Sequence, residues 1–321
     1  MGTPVGRSRV RRNCWLGSVL AIVACGGVER RMHDARDGYC GKRLEQHVEI
    51  SKDEHYMEVG VGVREAYEKG IAECYLDRKQ PDAAVSLARR WVGNRIDQLK
   101  IVARASAAAG KVDDVRVALQ AIAKDREGDP EWFLETPELQ PLAAQPWFRE
   151  VALDAWSHWP QIPLESYAGR LVQVSGHELL PLRVAAADPD RAPGDYAVWT
   201  GVVRDARIDR VKQETVLTAE GVDVRSELQT IDRRVESVRR RSSGEVVPSY
   251  STEKTYAERF VPNGRRFVIR YPAVSERLTR MEVVVAFGRY SGRLDPGGEP
   301  VLTAWTVADR RAREKTDLTV D

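Results

Sequence analysis

Chemistry in this 321-residue chain gathers in three sets of side chains. The first is thiol. Cys25 closes the run Ile22-Val23-Ala24-Cys25 ahead of Gly26-Gly27, and Cys14, Cys40 and Cys74 complete the set. A thiol suits attachment, bridging or metal ligation. The second set is cationic and aromatic. Arg233, Arg234, Arg239, Arg240 and Arg241 are followed by Tyr250, Tyr256 and Phe260 at even spacing. Guanidinium groups take phosphate or carboxylate oxygens two at a time, and aromatic faces stack. The third set is His33, His47 and His55 with Asp34, Asp37 and Asp53. These types ligate metals, but their irregular spacing favours a solvated surface, so no metal and no cofactor are expected. Zinc at Cys40 and Cys74 would need a histidine pair that no motif supplies.

Catalytic motifs do not assemble from the remainder. His177-Glu178 has no second histidine four residues on, and Glu65 stands where a third glycine would follow Gly60-x-Gly62. The sequence has no G-x-S-x-G and no P-loop. No reaction is assigned: the chain is read as non-enzymatic, with an enzyme whose catalytic residues are dispersed along the sequence as the third alternative.

The thiol at position 25 follows a leader. Arg7, Arg9, Arg11 and Arg12 precede a short apolar run from Trp15 to Ala24. A basic start, an apolar centre and small residues at a cleavage point mark a secretory signal peptide, here residues 1–24. The run is about half the ~20 residues that span a bilayer, so it is not read as an anchor helix. Ile22-Val23-Ala24-Cys25 resembles the lipobox of bacterial lipoproteins. The resemblance implies a diacylglyceryl thioether on Cys25, cleavage before it, and fatty acylation (palmitate or similar) of the new amino group. Gly26, in place of aspartate, departs from that family's inner-membrane retention signal. The expected location is the cell envelope, in the outer membrane facing the periplasm.

This leader changes how charge and cysteines read. Formal net charge is +2, but four positive charges lie before Cys25, leaving −2 beyond it. Global charge therefore gives no argument for nucleic acid. Cys40 and Cys74 remain as an even pair in an oxidising compartment, and a Cys40–Cys74 disulfide is expected over two separate buried thiols.

Residues 25–50 carry several glycines and many charges and read as a lipidated tether. Residues 51–155 read as helical. Tyr56, Val59, Val63, Ala66, Tyr67, Gly70, Ile71 and Cys74 recur at three- and four-residue steps. Further helices start at Pro81, near Ile96 and at Val112. Ala72, Tyr75, Ala84, Ala88 and Trp91, partly repeated by Ala103, Gly110, Val115, Leu119 and Ile122, resemble a degenerate tetratricopeptide array. The resemblance implies a concave peptide-binding surface, and a plain helical bundle is the alternative. Trp132, Phe133, Trp147 and Phe148 are expected to close the module.

Residues 156–165 read as a linker, 166–310 as a β domain and 311–321 as a tail. Strands are expected at 169–175, 196–208, 214–220, 222–240, 246–261, 266–271, 281–290 and 301–309, with a turn at Pro262-Asn263-Gly264. The stretches Leu171–Ser175, Ala197–Val203 and Val283–Gly292, followed by Pro300–Trp305, resemble an OB-fold barrel. Residues 222–261 would form a long hairpin inserted into it, and an immunoglobulin-like sandwich is the alternative.

The fold class is thus α+β in two domains, a helical repeat-like module followed by an antiparallel OB-like barrel with a long hairpin. The function read from it is non-catalytic binding or scaffolding at the envelope. The alternative is a binding module for a glycan, lipid or anionic polymer. The expected partners are the bilayer through acylated Cys25, and a protein or an envelope polymer. Arginines beside aromatics also suit single-stranded nucleic acid, which the export signal disfavours.

Overall fold

The computed structural model describes residues 27–35, 39–91, 95–125, 128–159, 161–188, 190–240, 246–294 and 298–310, with backbone alone for 226–257. The chain divides after Trp159 into two units.

The first unit is helical. Helix α1 covers 27–35 and α2 covers Cys40–Ile50. Much of the expected tether is therefore structured. Its charges mask a helical stripe: Val28, Met32 and Ala35 share a face and are almost fully buried, packing with Ile50, Tyr56 and Tyr67. A short turn, Tyr56–Glu58, leads to α3 (Val61–Asp77). Then come α4 (Pro81–Ala88), α5 (Arg95–Ala108), α6 (Val112–Ala123), α7 (Pro130–Glu135) and α8 (Pro146–Ser157).

Local chemistry sets these ends. Pro81, Pro130 and Pro146 occupy first-turn positions, where no backbone donor is needed. Asp129 accepts from the Glu131 N–H at 2.9 Å and caps α7. Gly110 takes φ 71° between α5 and α6, a conformation open to glycine. Consecutive helices pack, with Ala72, Ala84, Ala88 and Ala103 fully buried so that their axes approach closely. Phe133 and Phe148 are buried, while Trp132 and Trp147 keep one side exposed.

The second unit begins with α9 (Leu164–Val174) and α10 (Leu182–Ala187). A helix replaces the strand expected at 169–175. Leu164, Tyr167, Ala168, Leu171 and Val172 are buried at helical spacing, a period visible only when the window starts before Gly169. Five strands follow: β1 (Tyr196–Asp209), β2 (Glu214–Arg240), β3 (Val246–Tyr271), β4 (Val283–Arg293) and β5 (Pro300–Asp309). They close into a barrel in the order β1-β2-β3-β5-β4. All neighbours are antiparallel except β3 and β5. An odd number of strands cannot alternate direction around a closed ring, so one parallel pair is required.

Trp199, Leu217, Phe267, Ile269, Ala286, Tyr290 and Leu302 fill the interior. The Trp199 indole N–H donates to the Leu180 carbonyl at 2.9 Å. Gly288 lets β5 come close: a side chain there would begin 2.1 Å from the Thr303 carbonyl oxygen. Leu278 and Met281, before β4, complete this core.

The segments expected as separate strands at 214–220 and 222–240 are one strand, as are 246–261 and 266–271. Pro262-Asn263-Gly264 forms no turn. The pairing instead slips between Glu220 and Val222, leaving Asn263, Gly264 and Arg265 as a bulge. Beyond it, from Val222↔Pro262 to Arg240↔Val246, β2 and β3 pair only with each other among the described residues. At about 3.3 Å per residue this two-stranded ribbon runs for ~55 Å.

Candidate functional site

Cys25, Arg241 and the tail lie outside the described residues. Cys40 and Cys74 are joined as a disulfide, with Cα atoms 5.0 Å apart, so α2 is tied to α3. Arg233, Arg234, Arg239 and Arg240 lie on β2, and Tyr250, Tyr256 and Phe260 on β3. Only Phe260 has a described side chain, and it is partly buried. The backbone register sets Arg233 across from Thr252, Arg234 from Ser251, Arg239 from Val247 and Arg240 from Val246. No acidic residue stands directly opposite these four arginines. Asp232 instead faces Glu253, and the Glu258 carboxylate takes Arg310 at 2.6 Å.

No three metal-ligating side chains converge among the described residues. The histidines and acids considered for a metal have other settings. Asp53 accepts from the His55 N–H and pairs with Arg31, which holds its carboxyl below the usual range. The His55 ring bonds Glu58 at 2.9 Å, which pushes its pKa up. His33 is exposed on α1. His177, elsewhere, stacks at 4.8 Å on Tyr196.

Among the described residues the helical unit holds a cleft of about 850 Å³. One stripe of α3 forms its floor: Gly62, Ala66 and Gly70, with Glu65, Lys69, Glu73 and Asp77 alongside. These positions are three or four apart and share a face. Arg43 and the disulfide from α2, Asp97 from α5, and Tyr67 and Trp91 form the rest. Several of the charges are paired. Lys69 meets Asp97 at 2.9 Å. Arg104 meets Glu73 at 3.4 Å and Glu138 at 2.9 Å.

A buried polar cluster lies next to this cleft. The Tyr56 hydroxyl donates to Glu68 Oε1 at 2.5 Å, and Arg64 donates to the Met57 carbonyl at 2.9 Å. The His47 ring lies 5.6 Å from Tyr67 and 6.3 Å from Tyr56. Burial pushes the Glu68 carboxyl up, against the lowering influence of Tyr56, Arg64, Arg90 and Trp91. Burial, aided by Arg90, lowers His47 to about 4. Burial also raises both phenols. The cluster pins the Tyr56–Glu58 turn to α3, and it is neutral at His47 near pH 7.

Apolar periodicity traces the buried side of α3 through Tyr67, Ile71 and Cys74, but it also counts Ala66 and Gly70, which instead line the cleft. The signal for the cleft is Gly62, Ala66 and Gly70 four apart with charges between them. Arg43 gave no signal, because its position depends on the packing of α2 against α3.

A scan against protein-family models finds no match, and neither a search of curated proteins nor one of solved structures finds a similar chain.

Proposed function

We propose that this chain is a lipid-anchored protein of a bacterial envelope that binds or scaffolds without catalysing a reaction. Acylated Cys25 holds it to the bilayer, in the outer membrane and facing the periplasm, and a protein or an envelope polymer is its partner. The Cys40–Cys74 bridge supports an oxidising compartment. The observation that carries the binding role is the ribbon of β2 and β3. Among the described residues it has two unpaired edges and an arginine-rich end without acids across the strands. An isolated two-stranded hairpin is at best marginally stable in water, so a ribbon of this length favours a contact surface.

The order β1-β2-β3-β5-β4 with β3 parallel to β5 supports an OB-fold barrel. The packed succession of α3, α4, α5 and α6 supports a degenerate tetratricopeptide module, with Ala72 and Ala103 buried at matching places. Among the described residues no helix is long and apolar enough to cross a membrane.

A second reading has specific support: binding of an anionic lipid or polymer through Arg233, Arg234, Arg239, Arg240 and Arg241, with Tyr250, Tyr256 and Phe260 for stacking. Nucleic acid is disfavoured by the export signal. Two experiments test these readings. Cys25→Ser should leave the chain unprocessed by lipidation and released from the membrane fraction; persistence of the processed, membrane-bound form overturns the anchor. The Cys25→Ser chain should co-sediment with phosphatidylglycerol vesicles at low salt and much less at high salt. Replacing the five arginines by glutamate should remove that binding, and unchanged sedimentation overturns the anion reading.

A further inference from the structure

The cleft of α3 holds one cation that the described residues leave uncompensated. Arg43 is partly buried, and its Nε is shut off from solvent without a hydrogen-bond partner. Its Nη1 lies 3.9 Å from the point where a side chain on Gly70 would begin. The neighbouring cations are occupied, Lys69 by Asp97 and Arg104 by Glu73 and Glu138. Among the described residues no carboxylate stands within ion-pair distance of Arg43. Arginine does not lose its charge, and a partly desolvated guanidinium without a partner is costly. Its planar fork fits a carboxylate or a phosphate.

The surroundings choose between those two. Asp77 lines the same cleft without a cation partner among the described residues and, with Glu65 and Glu73 beside it, disfavours a doubly charged phosphate. They suit a single carboxylate flanked by positive charge. The floor also speaks to shape. Gly62, Ala66 and Gly70 present little but backbone, so an extended chain can approach closely. From Gly62 to Asp77 the stripe runs ~22 Å at about 1.5 Å per residue. That matches about seven residues of extended chain at ~3.3 Å each. Tyr67 and Trp91 supply aromatic wall. The disulfide fixes the geometry, since Cys40 lies one turn before Arg43 and Cys74 one turn after Gly70.

We propose that this cleft binds an extended peptide segment that sets one carboxylate on Arg43 and a basic group toward Asp77. The proposal rests on the reading that the helical module is a contact surface. The probe is a heptapeptide, Lys-Ala-Lys-Ala-Lys-Ala-Ala, with a free C-terminal carboxylate, compared with its C-terminal amide by titration calorimetry on the full chain. The free acid should bind at least tenfold more tightly than the amide. Arg43→Gln should remove that preference while its unfolding midpoint stays equal or rises, because an unpaired guanidinium is lost. Gly70→Leu, whose Cβ would meet only the flexible end of Arg43 at 3.9 Å, should fold and block both peptides. Equal affinity of acid and amide, binding of neither at millimolar concentration, or a preference that survives Arg43→Gln overturns the site. Tighter binding of inorganic phosphate than of the free-acid peptide, abolished by Arg43→Gln, overturns the peptide class. Each of these results leaves the vesicle and membrane-fraction tests standing, so the two readings fail separately.

Discussion

At the residue scale, the clearest energetic consequences come from Cys40, Cys74, His47 and Glu68. The bridge closes a loop over a separation of 34 residues. In the chain-entropy account such a loop is worth about 3–4 kcal/mol. Cys74→Ser should lower the free energy of unfolding by about that amount in a denaturant titration, and reductant should do the same to the unaltered chain. His47 has a definite sign. Its pKa falls from 6.5 to about 4 on folding, so below pH 6.5 the unfolded chain takes up the proton first. Stability is then lost as pH falls from 6.5 to 4, by up to about 3 kcal/mol, and no further loss comes from this group below 4. Glu68 runs the other way, because its pKa is raised: its contribution weakens as pH rises through the raised value. His47→Phe keeps an aromatic ring against Tyr56 and Tyr67 but cannot charge. Denaturation of this variant at pH 7 and pH 4 should show a smaller loss than in the parent. An unchanged loss places the acid sensitivity elsewhere.

At the element scale, the barrel is tightest where β4 and β5 cross. A methyl group on Gly288 would meet the backbone of Thr303 and Ala304, which cannot swing aside as a side chain can. Gly288→Ala should therefore cost more than 2 kcal/mol, as overpacking against backbone does. Its signature is loss of near-ultraviolet signal from Trp199 and Tyr290, whose rings lie 6.2 Å apart in the barrel interior. The ribbon behaves oppositely. Beyond Val222↔Pro262 the two strands pair only with each other among the described residues, and none of the described side chains at 222–225 and 258–262 belongs to the barrel's core cluster. Replacing 222–262 by a short glycine–serine turn should leave the barrel's unfolding midpoint within a few degrees of the parent. A collapse of that midpoint would make the ribbon part of the fold and not an appendage. Its base is held by Glu220, which takes Arg204 at 2.7 Å and the Gly264 N–H at 3.1 Å. That pairing explains why the bulge stays within one continuous strand.

For the whole molecule, the division after Trp159 leaves each unit with its own apolar core. Calorimetry should resolve two transitions, and reductant should move only the one belonging to the helical unit, which holds the bridge. A single transition displaced as a whole by reductant would mean that the units unfold together.

How far the sequence reaches is visible in particular elements. Helices α3 to α6 were legible from periodicity, and their ends from Pro81 and Gly110, because these are local preferences of the chain. The α+β division followed from the change of period. The disulfide followed from parity and the leader. Helices α1 and α9 were not legible in the windows used. The first hides three apolar residues among charges, and the second was cut by a boundary placed inside it. The continuity of β2 and β3 was missed because Pro262-Asn263-Gly264 carries turn residues that also serve a bulge, and only the partner strand decides between the two. Order around the barrel, the parallel β3–β5 pair and the uncharged residues across from the arginines are relations between distant segments, and composition does not encode them. So is the candidate cleft. The residue types along α3 were always present, but a half-buried Arg43 over Gly70 exists only once α2 is packed and bridged to α3. Local periodicity and parity belong to the sequence by itself, while closure, register and the burial of a lone charge arise only where the chain meets itself.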